Sequence, residues 1–266
     1  MSDAAVADPA DPTDLAARIL AAGARPPLVV LDHDGTLSPI APTPDAATLP
    51  AAARTAVAAL AARTEVVVLS GRGLDDLVDR LGDLGVAIVA EHGLRLRHPD
   101  GTVEALATPP DATVLARLRT DLGSLLGHRP GWLVEDKGVG LAVHHRLVPA
   151  DDVAAVLPLV RDLLSAAART GGGTVQDGHA VVELRAAGAG KGAALRHLVA
   201  AAPGRTPVMV GDDRTDEPAL AAAEELGGVG VLVATAPRPT AASVRLPDPD
   251  AVAALLAALA DRLSRG

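Results

Sequence analysis

The chain has 266 residues, enough for one large domain or two smaller ones. Its formal charge of −9 argues against nucleic acid or an anionic membrane as the main partner, and the absence of cysteine excludes disulfides and thiolate metal sites. No stretch reaches the ~18 uninterrupted apolar residues of a membrane span, and the acidic, proline-bearing start MSDAAVADPADPTD lacks the regions of a secretory signal, so a soluble, cytoplasmic protein is expected.

Residues 1–12, rich in Ala, Asp and Pro, are expected to be disordered. A helix is predicted over about 13–22, and the apolar run LVVL makes a strand over 28–31. PAAARTAVAALAAR reads as a helix with Pro50 in its first turn. EVVVLSGR is a buried strand, GLDDLVDRLG a short helix and GVAIVAEHG another strand. Strands of unalternating Val, Leu and Ile separated by helices predict a parallel sheet covered on both faces.

The pattern changes after Gly93. LRLRHPDGTVEAL alternates around a Pro-Asp-Gly turn and predicts a hairpin. Helices near 110–127 and 149–169 each precede a strand pair, 132–145 and 174–185, the second turning at QDGH. After AAGAGKG the alternation of helix and strand resumes with TPVMVGDD, a helix from about 215, GVGVLV and a C-terminal helix. The expected fold is therefore α/β. A doubly wound core, 13–94 and 187–266, is interrupted by a smaller α+β insert over 95–186.

Chemistry-bearing residues fall at the strand ends, where open parallel sheets place their sites. Asp32 and Asp34 end the first strand, and Ser70 and Gly71 the second. Gly211, Asp212, Asp213 and Asp216 follow a later one, and Lys191 opens a helix. Carboxylates brought to one spot repel one another unless a cation lies among them. Hard oxygen ligands select a hard ion, and Mg²⁺ suits a site shared with phosphate. Asp32, Asp34, Asp212, Asp213 and Asp216 are the candidate ligands; of the last two, one is expected in the metal shell and the other capping a helix. Ser70, Gly71 and Lys191 are candidates for holding phosphate oxygens. Asp32 is placed as a nucleophile, and Asp34 as the acid that protonates the leaving oxygen and then deprotonates water.

Phe and Tyr are absent and Trp132 is the single aromatic of these types, so no Phe/Tyr stacking platform exists. Trp132 is expected to anchor the core of the insert. Only Lys137 and Lys191 among the 24 basic residues are lysines, which marks both as positions where a guanidinium does not substitute. Glu135 and Lys137, two apart on a predicted strand, share a face. Arg72 and His92 are further candidates for lining the pocket.

D-x-D-G-T-L, S-G-R, G-x-G-K-G and G-D-D-x-T-D-E, in this order, resemble the haloacid-dehalogenase-like phosphohydrolase superfamily. The length of chain between Ser70 and Lys191 resembles the subgroup with an α+β cap there, which mostly handles phosphorylated sugars. Within it, AEHGLRL, VEDKGVGLAVHHR, VVELR and GDDRTDEPAL are similar to trehalose-6-phosphate phosphatases, although His145 and Leu220 stand where aromatics are common. The resemblance implies a Rossmannoid core, Mg²⁺, and hydrolysis of trehalose 6-phosphate through an aspartyl-phosphate. It also places Glu135, Lys137 and Glu183 on the cap face that holds the sugar, and leaves association with a trehalose-phosphate synthase open. Two other readings remain: another capped phosphatase acting on sucrose 6-phosphate or a mannosyl phosphate, and a non-catalytic sugar-phosphate sensor.

Overall fold

The structure, a computed structural model, describes residues 7–41, 47–136, 138–178 and 180–265. The chain divides into two compact units: one of residues through Leu106 and from Gly190 onward, the other of residues 107–189.

Among the described residues, the first unit is built on a nine-stranded sheet. Its elements in chain order are β1 (Asp8–Pro9), α1 (Pro12–Ala21), β2 (Leu28–Leu31), α2 (Ala51–Ala61), β3 (Val66–Leu69), α3 (Leu74–Leu81) and β4 (Ala87–Ala90). β5 (Arg95–Arg97) and β6 (Val103–Ala105) follow, and after the second unit come α6 (Lys191–Ala201), β11 (Pro207–Gly211), α7 (Glu217–Glu225), β12 (Val229–Val233), β13 (Val244–Leu246) and α8 (Pro249–Arg265). The strand order is β1-β13-β12-β11-β2-β3-β4-β5-β6, parallel from β1 to β4.

Both faces are apolar because the strands bury alternate residues on opposite sides. Val29 and Leu31 pack with Leu15 and Ile19 of α1, Leu60 of α2, Leu77 of α3 and Leu256 of α8. Leu28 and Val30 pack with Leu195 and Leu198 of α6 and Leu220 of α7. β2 lies between β11 and β3, with Leu31 opposite Val210 on one side and Val68 on the other. Asp32, Ser70 and Asp212 follow these three neighbouring strand ends, so a single edge of the sheet gathers them.

Two expectations are corrected here. Asp8–Pro9, expected to be disordered, pair with β13: Asp8 N–H donates to Ser243 O (3.2 Å) and Ala10 N–H to Arg245 O (3.1 Å). Asp11 then caps α1 by accepting from the Thr13 and Asp14 amides. Residues 1–6 lie outside the described residues. The hairpin 95–105, expected to begin the insert, instead extends the large sheet. β5 pairs antiparallel with β4, and Leu96 enters the core beside α6. A Pro-Asp-Gly turn sets the hairpin locally but carries no information about which sheet its free edge joins.

The second unit comprises α4 (Ala112–Leu126), β7 (Leu133–Asp136), β8 (Leu141–His144), α5 (Ala150–Gly171), β9 (Thr174–Gly178) and β10 (Val181–Arg185). Its antiparallel sheet runs β7-β8-β10-β9. Leu141, Val143, Val182 and Leu184 face Leu118 and Leu122 of α4 and Val160 and Leu164 of α5. The β9–β10 turn comes later than QDGH, with β9 running on through Gly178 and Ala180 in a left-handed conformation, φ 57°. Trp132 packs at the margin of this core and its indole N–H donates to Asp152 Oδ2 (2.8 Å).

Candidate active site

Asp32 is 5 % exposed at the end of β2, because the apolar strand carries it straight out of the core. Lys191, the first residue of α6, is equally buried, and its Nζ donates to Asp32 Oδ1 (2.6 Å) and Asp216 Oδ1 (2.5 Å). Asp216 Oδ2 accepts the Asp212 and Asp213 amides, both at 3.0 Å, and so shapes the turn after β11. Thr36 Oγ1 lies 3.5 Å from Asp212 Oδ1. The Asp212 carboxylate packs directly over Gly35, φ 80°, where any Cβ would overlap it.

Asp32, Asp212 and Asp216 bring carboxylate oxygens within 4.8 Å of one another. With Lys191 this leaves a formal excess of two negative charges in a largely buried space. All donors are hard oxygens, which fits a divalent cation such as Mg²⁺. Burial pushes the Asp32 carboxyl up from its ordinary range, Lys191 opposes this, and Asp216 and Asp212 add like charge. Burial and the charges of Asp216 and Asp213 push Asp212 up to about 6. Burial would strip the Lys191 proton, but Asp32 and Asp216 outweigh it and hold the ammonium charged.

Asp34 is oriented differently. Its side chain lies outside that cluster and receives both arms of the Arg72 fork, Nε to Oδ2 at 2.6 Å and a terminal nitrogen to Oδ1 at 2.7 Å. Arg72 also donates to Asp76 Oδ2 (2.8 Å), which accepts from Arg80 Nε (2.7 Å) through its other oxygen. Burial pushes Asp34 up, but His33 and the Arg72 fork outweigh it and hold the carboxyl below the usual range. His33 Nδ1 is 3.4 Å from Asp34 Oδ1 and neither ring nitrogen makes a well-formed hydrogen bond, so we assign most of the effect to Arg72. Arg72, expected to line the pocket, is thus engaged with the candidate acid–base.

Ser70 is buried at the end of β3, and its Oγ accepts the Arg72 amide (3.3 Å). The His92 ring lies against Gly71, leaving no room for a Cβ there. Glu91 and His92 both hold left-handed φ values of 56°, fixed by amide bonds from Glu91 to Arg72 O (2.9 Å) and from His92 to Ser70 O (3.0 Å). Asp213 is exposed and its carboxylate accepts only its own turn's Arg214 amide (2.7 Å) among the described bonds, so the buried Asp216, not Asp213, stands with the candidate ligands.

In the second unit, Glu135, Ala142, Glu183 and Gln176 occupy one cross-strand row on the face opposite α4 and α5. Glu183 is buried and paired with Arg185 (2.7 Å); Glu135, half exposed, is paired with His144 Nε2 (2.8 Å). Lys137 lies outside the described residues. Sequence reasoning did not find Glu217 and Arg238. Arg238, from the loop before β13, donates to Asp212 O (2.9 Å), and Glu217 holds Arg238; Glu217 closes the G-D-D-x-T-D-E pattern, which was a signal for it, whereas no motif marks Arg238.

Catalytic-type carboxylates and a buried lysine at the strand ends of a doubly wound sheet, with an α+β insertion, define the haloacid-dehalogenase-like architecture. The structure aligns with a haloacid dehalogenase-like hydrolase from Bacteroides thetaiotaomicron at TM-score 0.62 and 16 % identity, over 90 % of this chain and 98 % of the other. It aligns with Aspergillus fumigatus trehalose-6-phosphate phosphatase at TM-score 0.77 and 26 % identity, over 96 % of this chain and 99 % of the other. The family model for trehalose-phosphatase matches residues 30–250, and the chain belongs to that family. The trehalose-phosphate phosphatase of Mycolicibacterium paratuberculosis is 41 % identical over 258 residues, 91 % of this chain; the chain spans only 64 % of that relative's length.

Proposed function

We propose that the chain is a Mg²⁺-dependent phosphatase that hydrolyses trehalose 6-phosphate to trehalose and inorganic phosphate. The carrying observation is the buried Asp32–Lys191–Asp216 network beside Asp212, in a chain of the trehalose-phosphatase family. Asp32, Asp212 and Asp216 would hold the cation, which when bound offsets charge on the phosphoryl oxygens.

One Asp32 oxygen is engaged by Lys191, leaving the other to attack phosphorus. The phosphorus–sugar oxygen bond breaks as the aspartyl-phosphate bond forms, and the leaving oxygen takes a proton from Asp34. Asp34 then accepts a proton from water, whose oxygen attacks the phosphorus and releases phosphate with Asp32 restored. Clamped by Arg72, Asp34 is ionised, the state required for the second step. To carry the proton of the first step it must loosen from the fork. Lys191 keeps its charge throughout and can steady phosphate oxygens together with Ser70.

A neutral disaccharide must be recognised by hydrogen bonds. Glu135, Lys137 and Glu183 supply two acceptors and a donor for its hydroxyls. The small Ala142 between Glu135 and Glu183 leaves a gap roughly 10 Å wide between their main chains. The deciding experiment is phosphate release from trehalose, sucrose, glucose and mannose phosphates, with and without Mg²⁺. Trehalose 6-phosphate should have the highest kcat/KM. A preference for another ester would assign the family member a different substrate.

A further inference from the structure

The loop between β12 and β13 reaches back to the turn that carries Asp212. Arg238 is its contact residue. One terminal nitrogen donates to Asp212 O (2.9 Å), and the other to Glu217 Oε1 (2.5 Å) and Pro239 O (3.1 Å). Glu217, the first residue of α7, fixes the same loop through its second oxygen, which accepts the Thr240 hydroxyl (3.1 Å) and the Ala241 amide (2.8 Å). Both side chains are about three-quarters buried, 27 % and 24 % exposed.

Asp212 is consequently held at several separate points. Its amide is bonded to Asp216, its carbonyl to Arg238, and its carboxylate lies between Thr36 and Gly35. The Asp216 bond also serves Lys191 and the Asp213 amide. The Arg238 bond has no other evident purpose at the site: it touches neither Asp32 nor Lys191 among the described bonds. A carboxylate on a turn binds a cation tightly only if its peptide plane does not swing. Outer partners that fix ligand orientation typically change metal affinity ~10–100-fold when removed. Glu217 neutralises the guanidinium, so the tie supplies orientation without adding net positive charge beside a cation site.

We infer that Arg238, held by Glu217, is a positioning residue that fixes the Asp212 peptide and thereby sets the divalent-cation affinity of the site. This rests on the metal reading given above. The test uses Mn²⁺ as the probe, with unbound ion counted by electron paramagnetic resonance in the full chain. The wild-type chain should bind Mn²⁺ and release it to excess Mg²⁺. Arg238→Gln should raise the Mn²⁺ dissociation constant ~10-fold or more. Arg238→Lys should recover part of the loss, because an ammonium can donate to Asp212 O but not as a rigid fork. Glu217→Gln, which keeps an oxygen for Thr240 and Ala241, should weaken binding less than Arg238→Gln. It decides the matter if Arg238→Gln does not fold. Melting of each metal-free variant separates orientation from folding. A lower melting temperature with an unchanged dissociation constant for Arg238→Gln, or for Glu217→Gln in its place, overturns the inference. A wild-type chain that binds no Mn²⁺ overturns the metal reading and this inference with it.

Discussion

The polar groups at the end of the large sheet and those on the open face of the small sheet are built in opposite ways. In the first, Asp32, Lys191 and Asp216 are nearly inaccessible and bonded to one another, and each carboxylate has a fixed partner. In the second, Glu183 is buried against Arg185, but Glu135 and His144 are partly solvated and pair across neighbouring strands. Buried charges interact strongly and are intolerant of losing a partner, whereas exposed pairs are screened and individually weak. The difference suits a division of labour. Under the proposed function, the rigid charged groups would act on the phosphate ester and the more solvated face would discriminate among the alcohols it carries.

The largest expected effect tests the buried network. Asp32→Asn should retain the fold but lower phosphate release by at least ~1,000-fold, because an amide cannot form the acyl-phosphate. Circular dichroism checks the fold; substantial residual turnover would remove Asp32 from the role of nucleophile. Exhaustive chelation should likewise stop turnover and Mg²⁺ restore it. Ca²⁺ should support it poorly, since its looser shell misplaces the reacting groups. Full activity in the chelated enzyme contradicts the metal reading.

The open face should behave more gently. Glu135→Ala and Lys137→Ala are each expected to lower kcat/KM for trehalose 6-phosphate about tenfold. Hydrolysis of p-nitrophenyl phosphate should change much less. Equal losses on both esters would make these residues general supports rather than selectors, and the contrast between the regions would collapse.

The smallest effect concerns the link between Arg72 and Arg80. Burial pushes Asp76 up, but the bonds from Arg72 and Arg80 outweigh it and leave the carboxyl below its ordinary range. A depressed folded-state value stabilises the protein above the unfolded value, ~3.9, and that contribution is lost as pH falls through the folded value. The side chain is 38 % exposed, so solvent screening limits the gain. Asp76→Asn should therefore cost less than ~1 kcal/mol at pH 7, with the difference shrinking below about pH 4. Urea unfolding of both proteins across that range measures it; a gap that widens on acidification refutes the assignment.

Much of the core was legible in the sequence because its signals are local. Unalternating runs such as LVVL and PVMVG, short and rich in β-branched residues, read as strands buried on both faces, and the acids that follow them mark where the strands stop. The hairpin 95–105 was legible as a hairpin but not as part of the large sheet, since pairing depends on the free edge of β4. The short strands β1 and β13 carried too few residues to show a period; β13 is set by pairing with β12, and β1 by pairing with β13 more than 200 positions away.

The candidate site divides along the same line. Residue types and spacing alone determined that Asp32, Asp34, Ser70, Lys191 and Asp212 stand at strand ends and helix starts, because strand termini fix where the backbone delivers them. The tertiary structure decided which way the side chains turn and whom they meet: Asp34 toward Arg72, Asp216 toward Lys191, Asp213 outward, and Arg238 onto the Asp212 carbonyl. These choices depend on charges and amides brought together from distant parts of the chain. A carboxylate's rotamer follows its strongest available partner, and no local pattern says which partner the fold will place within reach.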